Sequence, residues 1–182
     1  LDNLGSHALK DDDFYDFSSD EIVLRVVPGP QEGMFTEQGV NTFFKETYTT
    51  TAKCDRMGFR LDGPEIETVN GSDIISDGIA LGAVQIPNHG RPIIMLADRQ
   101  TTGGYAKIAT VASVDIPLLV QRATKQYVQF KPVSVIEAQR LLVAERDYYR
   151  NVRANARGRL TLEMPCIEPN DHAGEPTMPP VE

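Results

Sequence analysis

The stretch Leu96-Ala97-Asp98-Arg99-Gln100-Thr101-Thr102-Gly103-Gly104-Tyr105-Ala106-Lys107-Ile108 carries polar side chains between two apolar runs. The first run, residues 91–97, overlaps the start of this stretch. It has the length of a strand and is continuously apolar after its first residue, which is typical of a strand buried on both faces. The run after it, residues 107–112, has the composition of a second strand. The spacing of the runs and the Gly103-Gly104 pair predict a hairpin with a wide loop.

Short segments of strand character lie on both sides of this stretch. Residues 22–27 are rich in β-branched residues and end at Pro28-Gly29-Pro30, as expected of a buried strand. The other segments of strand composition are residues 48–52, 65–69, 83–87 and 127–130. Helices are predicted by their caps, which are Thr36, Asp115 and the Ser134/Glu137 capping box. Many short strands with few helices favour a β-barrel or sandwich with helical covers.

The composition is that of an ordinary globular domain, with 41% apolar and 24% charged residues. The 182 residues include 18 Lys and Arg against 26 Asp and Glu, which gives a net charge of −8. An acidic chain is a poor candidate for non-specific nucleic-acid binding, which depends on clustered cations. The longest apolar runs, residues 93–97 and 116–120, are far shorter than the roughly 20 residues that span a bilayer.

Charge and composition divide the chain into four parts. Residues 1–21 carry a net charge of −6 and have little to bury, which predicts an acidic linker or remnant. Residues 22–143 are neutral overall and contain the strands, so they are expected to form the folded domain. Residues 144–164 are expected to be a helical extension. Residues 165–182 contain five prolines and are expected to be a disordered tail.

Common catalytic and nucleotide-binding motifs do not occur in the sequence. It has no Gly-x4-Gly-Lys-Ser/Thr phosphate loop, no Gly-x-Gly-x-x-Gly after a strand and no Gly-x-Ser-x-Gly nucleophile elbow. The three histidines, His7, His89 and His172, are far apart in the sequence. A metal site built from His and Cys ligands is therefore not expected.

Three segments, residues 55–64, 75–87 and 96–108, are richer in polar side chains than ordinary loops. The structural interpretation is that Asp98-Arg99 is a local ion pair and that Gly103-Gly104 is only a hairpin tip. The functional interpretation is that the polar side chains of residues 96–108 converge at the end of a barrel, because buried charge is tolerated only where it is paired or used. Glycines there would let the backbone approach a ligand closely.

These segments resemble the C-terminal part of a family that includes allophanate hydrolase subunit 2, a biotin-dependent carboxyltransferase and the C subunit of 5-oxoprolinase. The likeness extends over roughly residues 22–142, in one order and with the spacing of that family. The similar stretches are residues 24–31, 55–64, 75–79, 82–87, 96–105, 107–111 and 132–134. Cys54 and Phe59 stand where the family has Ser and Tyr, and Ala106 stands where it has Pro.

The resemblance implies a mainly β fold, a cyclophilin-like β-barrel with a few short covering helices, formed by residues 22–143. It implies a component of an amide- or lactam-handling enzyme complex. Such a complex is either an ATP-dependent hydrolase that cleaves 5-oxoproline or the carboxyltransferase part of urea carboxylase. Because family members have a further domain before this one, the chain is expected to hold an incomplete site.

Two other functions remain open at this point. The family includes the antagonist of a sporulation kinase inhibitor, so a regulatory binding module that pairs with a sister barrel is the alternative function. The polar residues would then be an inherited pocket lining. A structural remnant that binds no ligand is the third possibility.

The resemblance and the chemistry of the side chains together define a candidate site. Arg99 and Lys107 are the expected catalytic residues, because their cationic donors can stabilise charge developing on a carbonyl or ureido oxygen. The expected substrate-binding residues are Arg56, Met57, Arg60, Gln85, Asp98, Gln100, Thr101, Thr102, Gly103, Gly104 and Tyr105. Within this set, the side chains of residues 100–102 would orient the amide. No metal ligand is expected.

The resemblance also implies the cofactors, partners and location. No cofactor is expected to be bound covalently to this chain, and biotin carried by a partner, or ATP, would act in the assembled complex. The expected partners are a sister barrel subunit, similar to allophanate hydrolase subunit 1, and a small amide or lactam substrate. Neither nucleic acid nor a membrane is an expected partner, and the expected location is cytoplasmic.

Overall fold

The computed structural model describes Tyr15 and residues 17–157 of the chain. The chain divides into two compact units, residues 1–148 and residues 149–182. The described part of the first unit is a β-barrel with covering helices. The described part of the second unit, residues 149–157, is helical. The tail predicted at residues 165–182 and most of the acidic segment at residues 1–21 lie outside the described residues.

The described residues form nine strands and three helices. The strands are β1 (Glu21–Pro28), β2 (Tyr48–Thr50), β3 (Gly58–Asp62), β4 (Asp73–Gly78), β5 (Ala83–Gln85), β6 (Ile93–Met95), β7 (Thr102–Tyr105), β8 (Lys107–Val111) and β9 (Tyr127–Pro132). The helices are α1 (Glu37–Lys45), α2 (Ile116–Val120) and α3 (Val135–Arg157). Short 3-10 turns at Glu32–Met34 and Ser113–Asp115 precede α1 and α2.

Seven of the described strands close into a barrel in the order β1-β8-β5-β6-β3-β2-β9. The ring closes because β9 lies beside β1 and pairs with it in parallel, from Glu21 opposite Tyr127 to Val26 opposite Pro132. The other neighbouring strands of the ring pair antiparallel. This closed barrel confirms the predicted mainly β barrel with covering helices.

The barrel is filled by side chains that alternate along its strands. In β3, Phe59 and Leu61 are buried in the core, whereas Arg60 between them is exposed. Helix α1 packs on the barrel through Phe43, whose ring stacks on Phe130 of β9 with 4.3 Å between the ring centroids. Full burial of an aromatic or aliphatic side chain of this kind contributes about 1.5–3 kcal/mol.

The two described strands outside the barrel, β4 and β7, form an antiparallel ribbon. Asp77 of β4 lies opposite Gly103 of β7. Strand β7 ends at Tyr105 and β8 begins at Lys107, so the ribbon continues directly into the barrel wall. The ribbon is therefore fixed in position by the first residues of β8.

The predicted hairpin between residues 91–97 and 107–112 is wrong. Strand β6 pairs with β3 and β5, whereas β8 pairs with β1 and β5, so β5 separates the two apolar strands. The polar segment between them forms β7 and pairs with β4 instead. The strand predicted at residues 65–69 is also wrong, because in the described structure Thr68 makes only an isolated bridge to Phe35.

Two predicted helix starts are confirmed by their caps. The Thr36 hydroxyl accepts a hydrogen bond from the Gly39 N–H at 2.9 Å, and α1 begins at the next residue. At α3, the Ser134 hydroxyl accepts from the Glu137 N–H at 3.2 Å. The Glu137 carboxylate accepts from the Ser134 N–H at 2.7 Å, and this contact lowers the pKa of Glu137. The reciprocal pair is the predicted capping box.

Helix α3 is the longest described helix, and charged residues occur along its whole length. None of the helices in the described part of the chain is both long enough and apolar enough to cross a bilayer.

Asp115 does not act as the helix cap predicted for it. Its fully buried side chain makes no cap hydrogen bond at α2. The carboxylate instead accepts the backbone N–H of Arg25 at 2.7 Å and the guanidinium Nε of the same residue at 2.9 Å. A further Arg25 guanidinium nitrogen pairs with the second carboxylate oxygen. These contacts attach the turn before α2 to β1.

Replacing Asp115 with alanine is expected to lower the free energy of unfolding by about 3 kcal/mol, because the Arg25 donors would lose their buried acceptor. Asp115→Asn, which keeps the shape and one acceptor oxygen, should lose less. Urea unfolding followed by circular dichroism measures both changes. A loss of less than about 1 kcal/mol for Asp115→Ala, the range of an exposed ion pair, would contradict this role.

Candidate functional site

Lys107, the first residue of β8, lies on the outer face of the barrel wall. Its neighbours Ala106 and Ile108 belong to the barrel core, and successive residues of a strand face opposite sides. Lys107 is nevertheless only 5% exposed, because its side chain extends under the β4–β7 ribbon. Its register partner is Gln85 of β5, which is also buried.

The Lys107 ammonium is bonded to the end of β4. Its Nζ lies 2.6 Å from Oδ2 of Asp77 and 3.0 Å from the carbonyl oxygen of Gly78. A buried ammonium is costly without such partners. The Gly78 N–H donates to the other carboxylate oxygen of Asp77 at 2.7 Å. The Lys107 ammonium and this N–H together hold the pKa of Asp77 below its usual value. Asp77 is 55% exposed, so this ion pair borders solvent on its acidic side.

Two glutamine amides lie beside this ion pair. The Gln31 side-chain oxygen accepts from the Lys107 backbone N–H at 3.2 Å, and its amide nitrogen donates to Asp77 at 3.4 Å. The Gln85 amide nitrogen donates to the Tyr105 carbonyl at 3.4 Å. A Cβ at Gly103 would lie 3.0 Å from that same nitrogen, so a glycine allows β7 to lie against the Gln85 amide.

Arg99 binds the backbone next to the contact made by Lys107. Its Nε donates to the carbonyl of Ile79 at 2.9 Å, and a terminal guanidinium nitrogen donates to the carbonyl of Leu96 at 3.1 Å. Since Lys107 binds the carbonyl of Gly78, the two cations hold successive carbonyls of the chain that leaves β4. We call the set Gln31, Asp77, Gln85, Arg99 and Lys107 the ribbon site.

The other predicted residues fall into two groups. The first group is brought to the ribbon site by the pairing of β7 with β4: residues Thr102, Gly103, Gly104 and Tyr105 form β7, and Gln100 and Thr101 lead into it. The side chains of Gln100, Thr101 and Thr102 are exposed. They face solvent and do not point into the core.

The second group lies on other elements and contributes nothing to the ribbon site. Arg56 and Asp98 form an exposed ion pair, with Nε 2.6 Å from Oδ2, and the guanidinium holds the pKa of Asp98 below its usual value. Met57 between β2 and β3 is 48% exposed. Arg60, on the outer face of β3, donates to the carbonyl of Lys53 at 3.0 Å. The structural interpretation of Asp98-Arg99 as a local ion pair is therefore wrong, because Asp98 pairs with Arg56 and Arg99 binds backbone carbonyls.

Asp77 and Gln31 belong to the ribbon site although they were not predicted. Both lie inside stretches that resemble the family, at residues 75–79 and 24–31. Asp77 could have been chosen from the sequence, because a buried lysine requires an acidic partner and this aspartate lies in one of the polar segments. Nothing local in the sequence indicates that Gln31 contacts Lys107.

Among the described residues, no group of three or more His, Cys, Asp or Glu side chains is placed to hold a metal ion. The acidic member of the ribbon site is bonded to a cation and to backbone. The arrangement therefore offers hydrogen-bond donors and amides to a ligand.

The fold and the ribbon site together define a class, a closed mainly β barrel with buried polar side chains between its outer wall and a covering ribbon. The family model for the carboxyltransferase domain, subdomain A and B, matches residues 3–132 of this chain. The chain therefore belongs to the carboxyltransferase-domain family, as the sequence resemblance predicted.

Three known proteins illustrate the similarity. The chain is 34% identical over 131 residues to the C subunit of 5-oxoprolinase from Haemophilus influenzae, a match that covers 72% of this chain and 42% of that protein. It is 30% identical over 129 residues to the C subunit of 5-oxoprolinase from Escherichia coli, covering 71% of this chain and 42% of that protein. The chain thus spans about two-fifths of the length of these curated relatives.

The third is a solved structure, the urea carboxylase of Kluyveromyces lactis. It superposes with a TM-score of 0.62 at 24% identity, over 67% of this chain and 12% of that chain. At this identity the likeness supports the barrel fold and no more.

Replacing Asp77 with asparagine tests the ion pair through its pH dependence. Because the folded-state pKa of Asp77 is depressed, its stabilising effect is present above the unfolded value near 3.8 and is lost as pH falls through the folded value. Asp77→Asn should therefore melt below the parent protein at neutral pH, and this gap should narrow as the pH falls below about 4. Melting temperatures measured between pH 7 and pH 3 give the comparison.

The matched control for this experiment is the Lys107→Met background. Without the ammonium, the largest cause of the depressed pKa is gone. The effect of Asp77→Asn on the melting temperature should then depend less on pH, because only the Gly78 N–H and the Gln31 amide still lower the pKa of Asp77. A gap in the parent background that widens at acid pH would refute the assignment.

Proposed function

We propose that this chain is one barrel of a lactam-handling enzyme complex of the 5-oxoprolinase kind, and that its ribbon site contacts the substrate amide. The observation that carries the proposal is the buried Lys107 ammonium, 2.6 Å from Asp77 and 3.0 Å from the Gly78 carbonyl. Membership of the carboxyltransferase-domain family supports it, and so do the names of the two bacterial relatives. Urea carboxylation is less well supported, because the solved urea carboxylase is 24% identical and argues for the fold alone.

The ribbon site has the groups that an amide requires. A lactam presents a carbonyl oxygen that needs a donor and an N–H that needs an acceptor. An ammonium carries three N–H groups, and among the described residues the acceptors of Lys107 Nζ are Asp77 and Gly78, which leaves one N–H for a substrate carbonyl. The Gln85 side-chain oxygen is an acceptor on the adjacent strand. A positively charged donor in this position would stabilise negative charge that develops on the carbonyl oxygen.

Arg99 acts as a positioning residue in this proposal. Its guanidinium is bonded to the carbonyls of Ile79 and Leu96, so it holds the chain that leaves β4 beside the barrel. The Lys107 ammonium depends on the neighbouring Gly78 carbonyl for one of its acceptors. Loss of Arg99 should therefore alter the ribbon site through the position of that segment.

The ribbon site has no feature that selects biotin or ATP. The remaining N–H of the Lys107 ammonium could serve a ureido carbonyl as well as a lactam carbonyl, so it does not single out biotin. The sequence has no phosphate-binding glycine loop. No step is therefore assigned to either group in this chain, and biotin or ATP would be bound by partner subunits. A sister barrel subunit and a cytoplasmic location are parts of the same proposal.

A regulatory module that pairs with a sister barrel is the second candidate function. One observation favours it: Ile75 of the β4–β7 ribbon is 96% exposed. Burial of this side chain against another protein would contribute about 1.5–3 kcal/mol to their association. In that function the chain would associate tightly and the ribbon site would turn over no substrate.

Lys107→Met tests the proposed function in the complex that the tagged chain forms with its native partners. We expect the rate of 5-oxoproline cleavage to fall about 100-fold or more, which is the usual effect of removing one charge-stabilising donor. Product formation in the purified complex is the readout. Co-purification of the partners and the melting temperature of the variant show that assembly and folding persist.

The matched control is Lys131→Met, which removes an exposed lysine from β9. It should leave turnover close to that of the parent complex. Turnover unchanged in Lys107→Met would remove the ribbon site from the reaction. A parent complex that assembles and has no turnover would favour the regulatory function.

A further inference from the structure

A second polar surface lies on the same barrel wall, beyond the strands that flank Lys107. Strand registers place Lys107 opposite Gln85, Gln85 opposite Ile93, and Ile93 opposite Arg60. Opposed residues of antiparallel strands share a face. Arg60 therefore points outwards, as Lys107 does, but from β3 and beyond the cover of the ribbon.

Arg60 lines an open groove with a volume of about 460 Å³. The outer face of β3 forms its centre. The loop after β2, which includes Lys53, forms one wall, and the segment that leads into β6, which includes His89 and Arg91, forms the other. We call this surface the basic groove.

The charge of the basic groove is opposite to that of the chain. The basic groove is lined by the cations Lys53, Arg60 and Arg91 and by one carboxylate, Asp62. Its local excess of two positive charges contrasts with the net charge of −8 of the whole chain. Asp55 approaches Arg60 only to 3.9 Å. A cationic cleft in an otherwise acidic protein raises the local concentration of anions.

Both arginines are held in place by contacts that leave part of each guanidinium open. Arg60 donates from one terminal nitrogen to the Lys53 carbonyl at 3.0 Å. Arg91 pairs through Nε with Asp62 at 2.9 Å. A guanidinium has about five N–H donors, so both side chains keep donors for a planar oxyanion. In the described structure the Lys53 ammonium makes no ion pair or hydrogen bond.

His89 adds a further donor to the basic groove. Its Nδ1 accepts the backbone N–H of Arg91 at 3.1 Å. In the neutral imidazole the proton is therefore on Nε2, which is a donor. This residue, with the three cations, makes the basic groove rich in donors and poor in acceptors.

Part of the lining of the basic groove is apolar. Pro92 and Ile93 line it beside the charged groups. A volume of this size accommodates a small organic molecule. The combination favours a ligand with one oxyanion group and a small apolar body over a bare inorganic ion.

We propose that the basic groove is a second binding site, which takes a small organic anion by pairing its carboxylate or phosphate group with Arg60, Arg91 and Lys53 while its apolar body lies against Pro92 and Ile93. The site is separate from the ribbon site and does not depend on the proposed function. Guanidinium groups recognise both kinds of oxyanion through paired hydrogen bonds.

Titration of the full chain with four probes tests the proposal: phenyl phosphate, benzoate, inorganic phosphate and neutral benzamide. Isothermal titration calorimetry gives the affinities, and chemical shifts of the backbone amides locate the binding. We expect saturable binding of phenyl phosphate or benzoate, with shifts at residues 51–53, 60–62 and 89–93. Whichever of the two binds more tightly identifies the preferred oxyanion. Inorganic phosphate and benzamide should each bind at least about tenfold more weakly, because inorganic phosphate lacks the apolar ring and benzamide lacks the oxyanion.

Three variants make the result decisive. Lys53→Gln and Arg91→Gln should each weaken binding of the anion about tenfold, the usual effect of losing a charge-assisted contact. Arg140→Gln, at an exposed arginine on α3, should leave the affinity unchanged. Lys53 has no partner to lose in the described structure, so its substitution keeps the test valid if Arg91→Gln unfolds.

Three outcomes would overturn the proposal. The first is the absence of saturable binding of both aromatic anions up to about 10 mM. The second is benzamide binding as tightly as benzoate, which would show that the oxyanion is not recognised. The third is an equal loss of affinity in Lys53→Gln and Arg140→Gln, which would show that only general charge matters.

Discussion

The parallel pairing of β1 with β9 is the constraint on which the rest of this structure depends. The two strands lie at opposite ends of the folded segment, and six successive residue pairs join them from Glu21–Tyr127 to Val26–Pro132. Their pairing closes the sheet into a barrel and removes its edges. Closure fixes which side chains of every strand point inwards, and the Arg25–Asp115 ion pair attaches the turn before α2 to the same strand β1.

The positions of the two polar surfaces follow from that closure. Lys107 and Arg60 both lie on the outer face, because their strand neighbours are required in the core. The difference between them is the ribbon. It covers Lys107, so that ammonium must be paired with Asp77 and the Gly78 carbonyl. It does not cover Arg60, so the basic groove remains open to solvent.

The sequence predicted the locally determined parts of the fold. The strand at residues 22–27, the helix after Thr36 and the capping box at Ser134 are confirmed, because β-branched composition or a cap defines each within a few residues, although only one face of that strand is buried. Strands β4 and β7 were missed, because they are polar and are held by pairing with each other. Residues 65–69 have strand composition, yet Thr68 finds only an isolated bridge. The prediction that the polar side chains of residues 96–108 converge at the end of the barrel was also incomplete, because the strand order places Lys107 on the outer face of the barrel wall.

The sequence by itself determined the family, the mainly β character and the residue types of the candidate site, because composition, caps and motif spacing are properties of neighbouring residues. Only the tertiary structure decided which of those residues meet. It joined Lys107 to Asp77 across 30 residues and to Gln31 across 76, and it left Arg56 and Asp98 as a surface pair. The physical reason is that a buried charge must find its partner through strand pairing, and strand pairing is set by closure of the whole barrel.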